Sequence, residues 1–147
     1  METTELLKSL EIFKRLTRTE LEKIASICLE RNFKQGDLII EEGFLVPGIF
    51  IITYGDVQVV KGKTEIVSLG KGNLVGELSF IDDDDASASV IVKSKEVDTL
   101  MIDHEELRDL LEDNEKMAVK VYKKFLTIMS ERLRMANKKQ SELRAVS

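Results

Sequence analysis

Several residue types are scarce in this sequence of 147 residues, which contains one cysteine, one proline, one histidine and no tryptophan. The single cysteine, Cys28, excludes an intrachain disulfide, and the single histidine leaves no second imidazole for a zinc site. The longest apolar run is interrupted by Pro47 and Gly48, and it is far shorter than the roughly 18 residues of a membrane span. The N-terminal segment is acidic where a secretory signal is basic, so we expect a cytoplasmic protein.

The motifs of the common enzyme classes are also missing. The sequence has no HExxH zinc motif, no GxSxG nucleophile elbow and no phosphate-binding GKS or GKT loop. The glycines Gly70, Gly72 and Gly76 miss the dinucleotide-binding spacing by one position, and no long helical pattern follows them. We therefore expect neither a Rossmann fold nor catalysis, and we assign no catalytic residue.

Four consecutive aspartates, Asp82 to Asp85, interrupt a stretch that otherwise resembles an anion cradle. The flanking residues are small, which lets backbone N–H groups and hydroxyls approach a phosphate, whereas the carboxylates repel it. A calcium loop is excluded because Ala86 takes a ligand position and Lys93 stands where glutamate is needed. We interpret the run as a solvated loop tip and assign no metal ligand.

Charge is unevenly distributed along the chain. Residues 1–115 include 13 basic and 25 acidic residues, a net charge of −12, whereas residues 116–147 include 9 and 2, a net charge of +7. Such a basic segment can bind nucleic acid or an anionic membrane surface. Its first lysines, Lys116, Lys120, Lys123 and Lys124, are spaced as on the solvated side of a helix. Nucleic-acid or anionic-surface binding is therefore only the alternative interpretation.

The hydrophobic pattern changes twice along the chain. Helical spacing over about 4–10 and after Thr17 predicts two short N-terminal helices, the second with a capping box to Glu20. From about Asp37, short β-rich runs alternate with glycines at spacings typical of a small barrel or jelly roll, and Lys61-Gly62-Lys63 closes a hairpin. Helix returns at Asp103. The fold class is therefore α+β, mainly β.

Two single residues receive structural assignments. Cys28 follows Ile24 and Ile27 on an apolar helical face, so we expect a buried packing residue rather than a reactive thiol. His104 lies in the first turn of the helix that begins at Asp103, with no second histidine or cysteine nearby. We expect a solvated side chain there.

The last segment, about 114–145, predicts one long helix without glycine or proline. A heptad register runs through Tyr122, Leu126, Met129, Leu133, Ala136, Gln140 and Leu143. A second apolar stripe beside it lets the helix pack on its own domain and on a partner helix at once. We predict a domain over residues 1–113 and a dimerisation helix over residues 114–147. The homodimer would form through Tyr122, Leu126, Met129 and Leu133.

The order of elements and glycines resembles the cyclic nucleotide-binding domain, the module of catabolite-activator-type regulators, kinase regulatory subunits and ion channels. Gly36 to Gly43 (GDLIIEEG) resembles the family's first glycine-bounded strand, Ile51 to Gly55 the next strand, and Gly72 to Ser89 its phosphate-binding cassette. The resemblance covers nearly the whole chain. It implies a jelly-roll-like β-roll (double-stranded β-helix) flanked by N-terminal helices and a long C-terminal helix, with no helix-turn-helix in this sequence.

The resemblance also assigns roles at the start of the cassette. Gly76 and Glu77 match the family's Gly-Glu pair, whose carboxylate accepts a hydrogen bond from the ribose hydroxyl. Leu78 and Ser79 match the short helix whose N–H groups face the cyclic phosphate. Glu77 therefore keeps the carboxylate that would orient a ribose, and Leu78 and Ser79 keep the N–H groups that would face a phosphate.

The end of the cassette departs from the family. Ser87 and Ala88 match the pair that adds a hydroxyl and an N–H group, but Ala86 stands where the family has a phosphate-pairing arginine. A hydrogen bond to a charged group contributes about 1.5–3 kcal/mol, so binding should weaken about ten- to a hundredfold. The resemblance thus implies a non-enzymatic regulatory module that binds cAMP or cGMP weakly or not at all. The alternative is a cyclic-nucleotide sensor that contacts the phosphate through another cation, such as Lys71 or Lys93.

Overall fold

The computed structural model describes residues 2–146 and places eight antiparallel strands of this range in two four-stranded sheets. The strands are β1 (Cys28–Lys34), β2 (Leu38–Ile40), β3 (Gly48–Tyr54), β4 (Val57–Lys61), β5 (Thr64–Leu69), β6 (Leu74–Val75), β7 (Ser89–Val92) and β8 (Glu96–Asp103). One sheet has the order β1-β8-β3-β6 and the other the order β2-β7-β4-β5. Consecutive strands thus alternate between the sheets, except for β4 and β5, which form an antiparallel hairpin within the second sheet.

Helices flank the strands at both ends of the chain. They are α1 (Thr3–Ser9), α2 (Arg18–Ser26), α3 (Glu77–Asp82), α4 (His104–Glu112) and α5 (Glu115–Val146), with a 3-10 turn over Glu11–Phe13. The predicted capping box is confirmed, because the Thr17 side chain accepts from the Glu20 N–H group and Glu20 accepts from the Thr17 N–H group. The two sheets and their flanking helices confirm the predicted fold class, which is α+β and mainly β.

Two apolar clusters hold these elements together. The inner cluster lies between the two sheets and is built mainly from β-branched residues such as Ile52, Val57 and Val92. The outer cluster joins the helices to the other face of the first sheet, with Leu100 and Phe125 among its members. Alternation along a strand sends neighbouring side chains to opposite faces, so β3 supplies both clusters.

Two local predictions differ from the structure. The sequence pattern predicted the first strand near Asp37, but β1 begins at Cys28, which the pattern had placed on a helix. Most of β1 is exposed on both faces, so its sequence lacks the period-two pattern of a half-buried strand. Its register comes from seven consecutive pairings with β8. Cys28 is nevertheless a packing residue, because it is half-buried against the outer cluster, and this burial raises the pKa of its thiol to about 12.

Helix α5 is buried only along its first half. Met117, Val121 and Phe125 lie in the outer cluster, whereas every residue of known exposure after Arg132 is exposed. Lys120 also binds Glu20 of α2, with 2.7 Å between Nζ and Oε1. The division of the chain into a domain and a dimerisation helix at residues 113 and 114 stays a prediction.

Candidate functional site

Gly76 fixes the entrance to the cassette, which we define as residues 72–89. It is the N-cap of α3 and has a left-handed φ of 92°. A Cβ atom at this position would lie 2.5 Å from the carbonyl oxygen of Gly48. Only glycine accepts both the backbone conformation and the close approach. Sterics therefore require the glycine of the Gly-Glu pair.

Both ends of the cassette border one loop, residues 41–47. The Gly43 N–H group donates to the Ala86 carbonyl at 2.8 Å, and the Ala86 N–H group donates to the Phe44 carbonyl at 2.9 Å. At the other end, a Cβ on Gly76 would meet the Val46 side chain at 3.2 Å. The loop therefore brings the two halves of the predicted site to a common border.

Glu77 is buried, with 2% of its surface exposed, and it forms an ion pair with Arg132 of α5. Arg132 also donates from Nη2 to the Leu74 carbonyl at 2.8 Å. Burial raises the pKa of the Glu77 carboxyl, and the Arg132 charge opposes that rise. The residue assigned to the ribose contact is thus held by a cation from the C-terminal helix.

Ala86 faces the inner cluster and is only 8% exposed. Its N–H and carbonyl groups are bonded to the loop, so the backbone at this position is committed to the fold. Of the other predicted residues, Ser79 is buried, Ala88 is half-buried, and Leu78 and Ser87 are exposed. Among the described residues, none of the buried polar or charged side chains is an arginine or a lysine.

The four aspartates are exposed, as expected of a solvated loop tip, but the run also makes specific contacts. Asp83 has a left-handed φ of 57° and caps the C-terminus of α3. Its carboxylate binds Arg108 of α4 at 2.9 Å, and Arg108 also donates to the Phe80 carbonyl at 3.3 Å. Asp82 accepts from the Asp84 N–H group at 2.9 Å. One of the four aspartates therefore forms a surface ion pair, which the sequence pattern did not predict.

His104 is buried, with 8% of its surface exposed, so the prediction of a solvated side chain is wrong. Its Nε2 lies 3.1 Å from the Gly76 carbonyl oxygen and therefore carries the hydrogen of that bond. Its backbone N–H group donates to the Pro47 carbonyl at 2.9 Å. Desolvation lowers the pKa of the imidazole. The ring thus holds the cassette entrance in its neutral Nε2–H form.

Phe80 is the centre of the contacts between the cassette helix and the C-terminal helices. Its ring lies 5.5 Å from that of His104 and 6.0 Å from those of Tyr122 and Phe125. The Arg108 guanidinium lies 5.3 Å from the centre of the Phe80 ring. A change in the position of α3 would therefore alter its direct contacts with α4 and α5.

Sequence reasoning missed three residues of this site, namely His104, Arg108 and Arg132. Each lies on a helix and belongs to no short motif, and each reaches its partner across 25 or more positions. Among the described residues, no group of three or more His, Cys, Asp and Glu side chains is arranged to hold a metal ion. None of the described helices is both long and apolar enough to span a membrane.

The family model of the cyclic nucleotide-binding domain matches residues 30–114, which is more than half of the chain and includes the whole cassette. The fold, the left-handed Gly76 and the buried Glu77 agree with that match. The chain therefore belongs to the cyclic nucleotide-binding domain family.

Individual proteins add detail to this assignment. A cGMP-dependent protein kinase of Eimeria tenella is 28% identical over 132 residues, which make up 90% of this chain but only 12% of the kinase. A cyclic nucleotide-binding domain from Methylobacillus flagellatus superposes with a TM-score of 0.82 at 24% identity, covering 94% of this chain and 80% of that one. The regulatory subunit of a cAMP-independent protein kinase A from Trypanosoma cruzi, bound to guanosine, has a TM-score of 0.67 at 27% identity. That match covers 74% of this chain and 38% of the subunit.

The role of His104 predicts a pH dependence of stability. The unfolded chain binds a proton on histidine near pH 6.5, at about the ordinary pKa, whereas the buried ring resists protonation until lower pH. The free energy of unfolding should therefore fall as pH is lowered from about 7 to 5. His104→Gln keeps a donor for Gly76 and should remove this part of the slope, as measured by urea unfolding at several pH values.

His104→Ala is the matched comparison for that experiment, because it removes both the titration and the donor. It should lower stability by about 1–3 kcal/mol at neutral pH, since the Gly76 carbonyl loses its partner. Glu77 titrates with a raised pKa and acts on stability in the opposite direction, but it is common to all three proteins. An unchanged pH slope in His104→Gln would contradict the assigned role.

The ion pair of Glu77 and Arg132 generates a second prediction. Arg132→Gln leaves a buried carboxylate without its cation and should destabilise the fold by about 1–3 kcal/mol at pH 7. The loss should shrink as pH is lowered, because a protonated Glu77 needs no cation. Arg134→Gln, at an exposed position two residues away, is the control and should be neutral. Equal effects of the two substitutions would refute the pairing.

Proposed function

We propose that this chain is a non-enzymatic regulatory module whose cassette binds cAMP and cGMP weakly or not at all. The carrying observation is the buried Ala86 methyl group at the position that the family uses for a phosphate-pairing arginine. An ionised phosphate placed at the cassette would have to give up water without a cation in return. Desolvating a charge without such compensation is strongly unfavourable.

The nearby cations support this proposal because three of them form ion pairs with carboxylates of the chain. Arg132 binds Glu77, and Arg108 binds Asp83. Lys93 could replace the missing arginine as a phosphate contact, but its Nζ lies 3.5 Å from Oε1 of Glu65 on β5. The exposed Asp84 and Asp85 add repulsion of about 1 kcal/mol or less at the surface, depending on salt. A phosphate contact through Arg132, Arg108 or Lys93 would require an ion pair to break, whereas Lys71, the other lysine of the alternative interpretation, is exposed and outside these pairs.

An uncharged nucleoside is the second candidate ligand. Glu77 offers a carboxylate that can accept from ribose hydroxyls, and a nucleoside brings no charge to the border of the apolar inner cluster. The Trypanosoma cruzi regulatory subunit that is similar to this chain is bound to guanosine. A nucleoside would thus use the part of the cassette that is retained and avoid the part that is altered.

The chain spans about an eighth of the length of the curated kinases that it matches. We therefore also propose that it regulates a kinase or another domain as its partner. Self-association through Tyr122, Leu126, Met129 and Leu133 stays a prediction. Three of these side chains are exposed on α5, and Met129 is half-buried.

The phosphate hypothesis predicts a gain of binding from one substitution. Ala86→Arg should tighten cAMP binding by about ten- to a hundredfold, because it supplies the charged hydrogen bond. Adding Asp84→Gly and Asp85→Pro should increase the gain. Without nucleotide, Ala86→Arg should lower stability, since a charged group enters a buried site. Titration calorimetry and thermal unfolding measure the two effects.

Ile81→Arg is the matched control, because it adds the same charge at an exposed position of α3 that is not assigned to ligand binding, and it should change affinity little. The wild type should be titrated with guanosine and adenosine beside cAMP and cGMP. Nucleoside binding that is abolished by Glu77→Gln would support the second candidate. Low-micromolar binding of cAMP by the wild type, unchanged by Ala86→Arg, would refute the main proposal.

A further inference from the structure

One side of α5 exposes a set of large apolar side chains, which we call the outer stripe. Its members and their exposed fractions are Val119 (67%), Tyr122 (37%), Leu126 (63%), Leu133 (62%) and Leu143 (63%). All five fall on the heptad register of the helix. Large apolar side chains that recur in this way on one helix face are the pattern of a helix-packing surface.

Apart from Tyr122, whose ring stacks on Phe80, the outer stripe is not the face that packs on the domain. Met117, Val121 and Phe125 make the intramolecular contacts, and the half-buried Ile128 and Met129 pack beside them. From Leu133 to Ala145 the helix is exposed on all sides. At about 1.5 Å per residue, this free end alone extends roughly 20 Å. The chain thus presents a helix face that its own fold does not cover.

The borders of the outer stripe carry charge of one sign only. With Leu126 at heptad position a and Met129 at d, the flanking e and g positions over residues 116–144 are Lys116, Ala118, Lys123, Phe125, Ser130, Arg132, Asn137, Lys139 and Arg144. Five of these nine residues are basic and none is acidic. Lys116, Lys123 and Lys139 are exposed, whereas Arg132 is neutralised by its own Glu77.

This charge pattern bears directly on which helix can pair with the stripe. Parallel helices place g positions against e positions, and antiparallel helices place e against e and g against g. Two copies of α5 therefore form no attractive flanking pair in either arrangement. In the parallel arrangement Lys139 meets Arg144 of the other copy, which adds repulsion. A helix with glutamate or aspartate at these positions would gain attraction at the exposed Lys116, Lys123 and Lys139.

We propose that the outer stripe binds an amphipathic helix of a different protein, with acidic residues flanking its apolar seam. The interaction goes beyond the nucleotide-binding role and does not depend on whether the cassette binds a ligand. Apolar contacts along the stripe supply the affinity, and the basic borders select the partner by charge. The partner helix would lie against α5 beside Tyr122, whose ring stacks on Phe80 of the cassette helix.

The test uses two synthetic helices of three heptads with leucine at a and d. One carries glutamate at e and g, and the other carries lysine. Fluorescence anisotropy of the labelled peptides against the full chain should show at least tenfold tighter binding of the acidic peptide at about 50 mM salt. The difference should shrink at about 500 mM salt because the flanking charges are screened.

Variants separate the apolar seam from its charged borders. Leu126→Ser with Leu133→Ser should abolish binding of both peptides without unfolding the domain, because both side chains are exposed. Lys123→Glu with Lys139→Glu should reverse the preference toward the lysine peptide. Lys63→Glu with Lys95→Glu makes the same change in net charge at exposed positions outside α5, and it should leave the preference in place.

Sedimentation velocity decides between this proposal and self-pairing. A monomer at about 50 µM that binds the acidic peptide supports the proposal. A dimer at that concentration that is dissociated by the Leu126 and Leu133 substitutions overturns it, because a second copy then covers the stripe. Equal binding of the two peptides, or a preference that Lys123→Glu with Lys139→Glu does not change, overturns it as well.

Discussion

A buried carboxylate needs a cation, and this requirement ties the two ends of the structure together. Glu77 lies at the start of the cassette helix and Arg132 lies near the middle of the C-terminal helix, 55 positions later. Removing a carboxylate from water is costly unless the charge is paired and hydrogen-bonded. The Glu77 carboxylate can stay ionised in the interior only while α5 lies against the cassette, so this ion pair fixes where the helix runs.

The same contact gives the cassette a mechanical connection to α4 and α5. Phe80 packs against His104, Tyr122 and Phe125, while Arg108 and Arg132 hold the two ends of α3. Any ligand that competes for the Glu77 carboxylate therefore acts on α5 through the loss of Arg132. The regulatory role proposed for the chain depends on this coupling, whether the ligand is a nucleoside or a nucleotide. The partner surface on α5 lies beside the same contacts.

The sequence predicted the parts of this fold whose signals are local. The Thr17 capping box, the alternating β-rich runs and the long helix over 115–146 all have short-range causes, and the structure contains them. It did not predict β1, because a strand exposed on both faces has no period-two pattern. His104 was assigned to solvent because a helix-start residue is usually exposed, and only the approach of Gly76 buries it.

The sequence by itself determined the family, the order of elements and the loss of arginine at position 86, because residue identity and spacing carry that information. Tertiary structure alone decided which cations serve which anions. Nine lysines and arginines follow position 115, and the sequence alone does not distinguish their roles. In the structure, Arg132 pairs with Glu77 and Lys120 with Glu20, whereas Lys123 and Lys139 are exposed. These pairings join positions 55 and 100 residues apart, and no local propensity encodes such distances. They follow from how α5 packs across the β-roll.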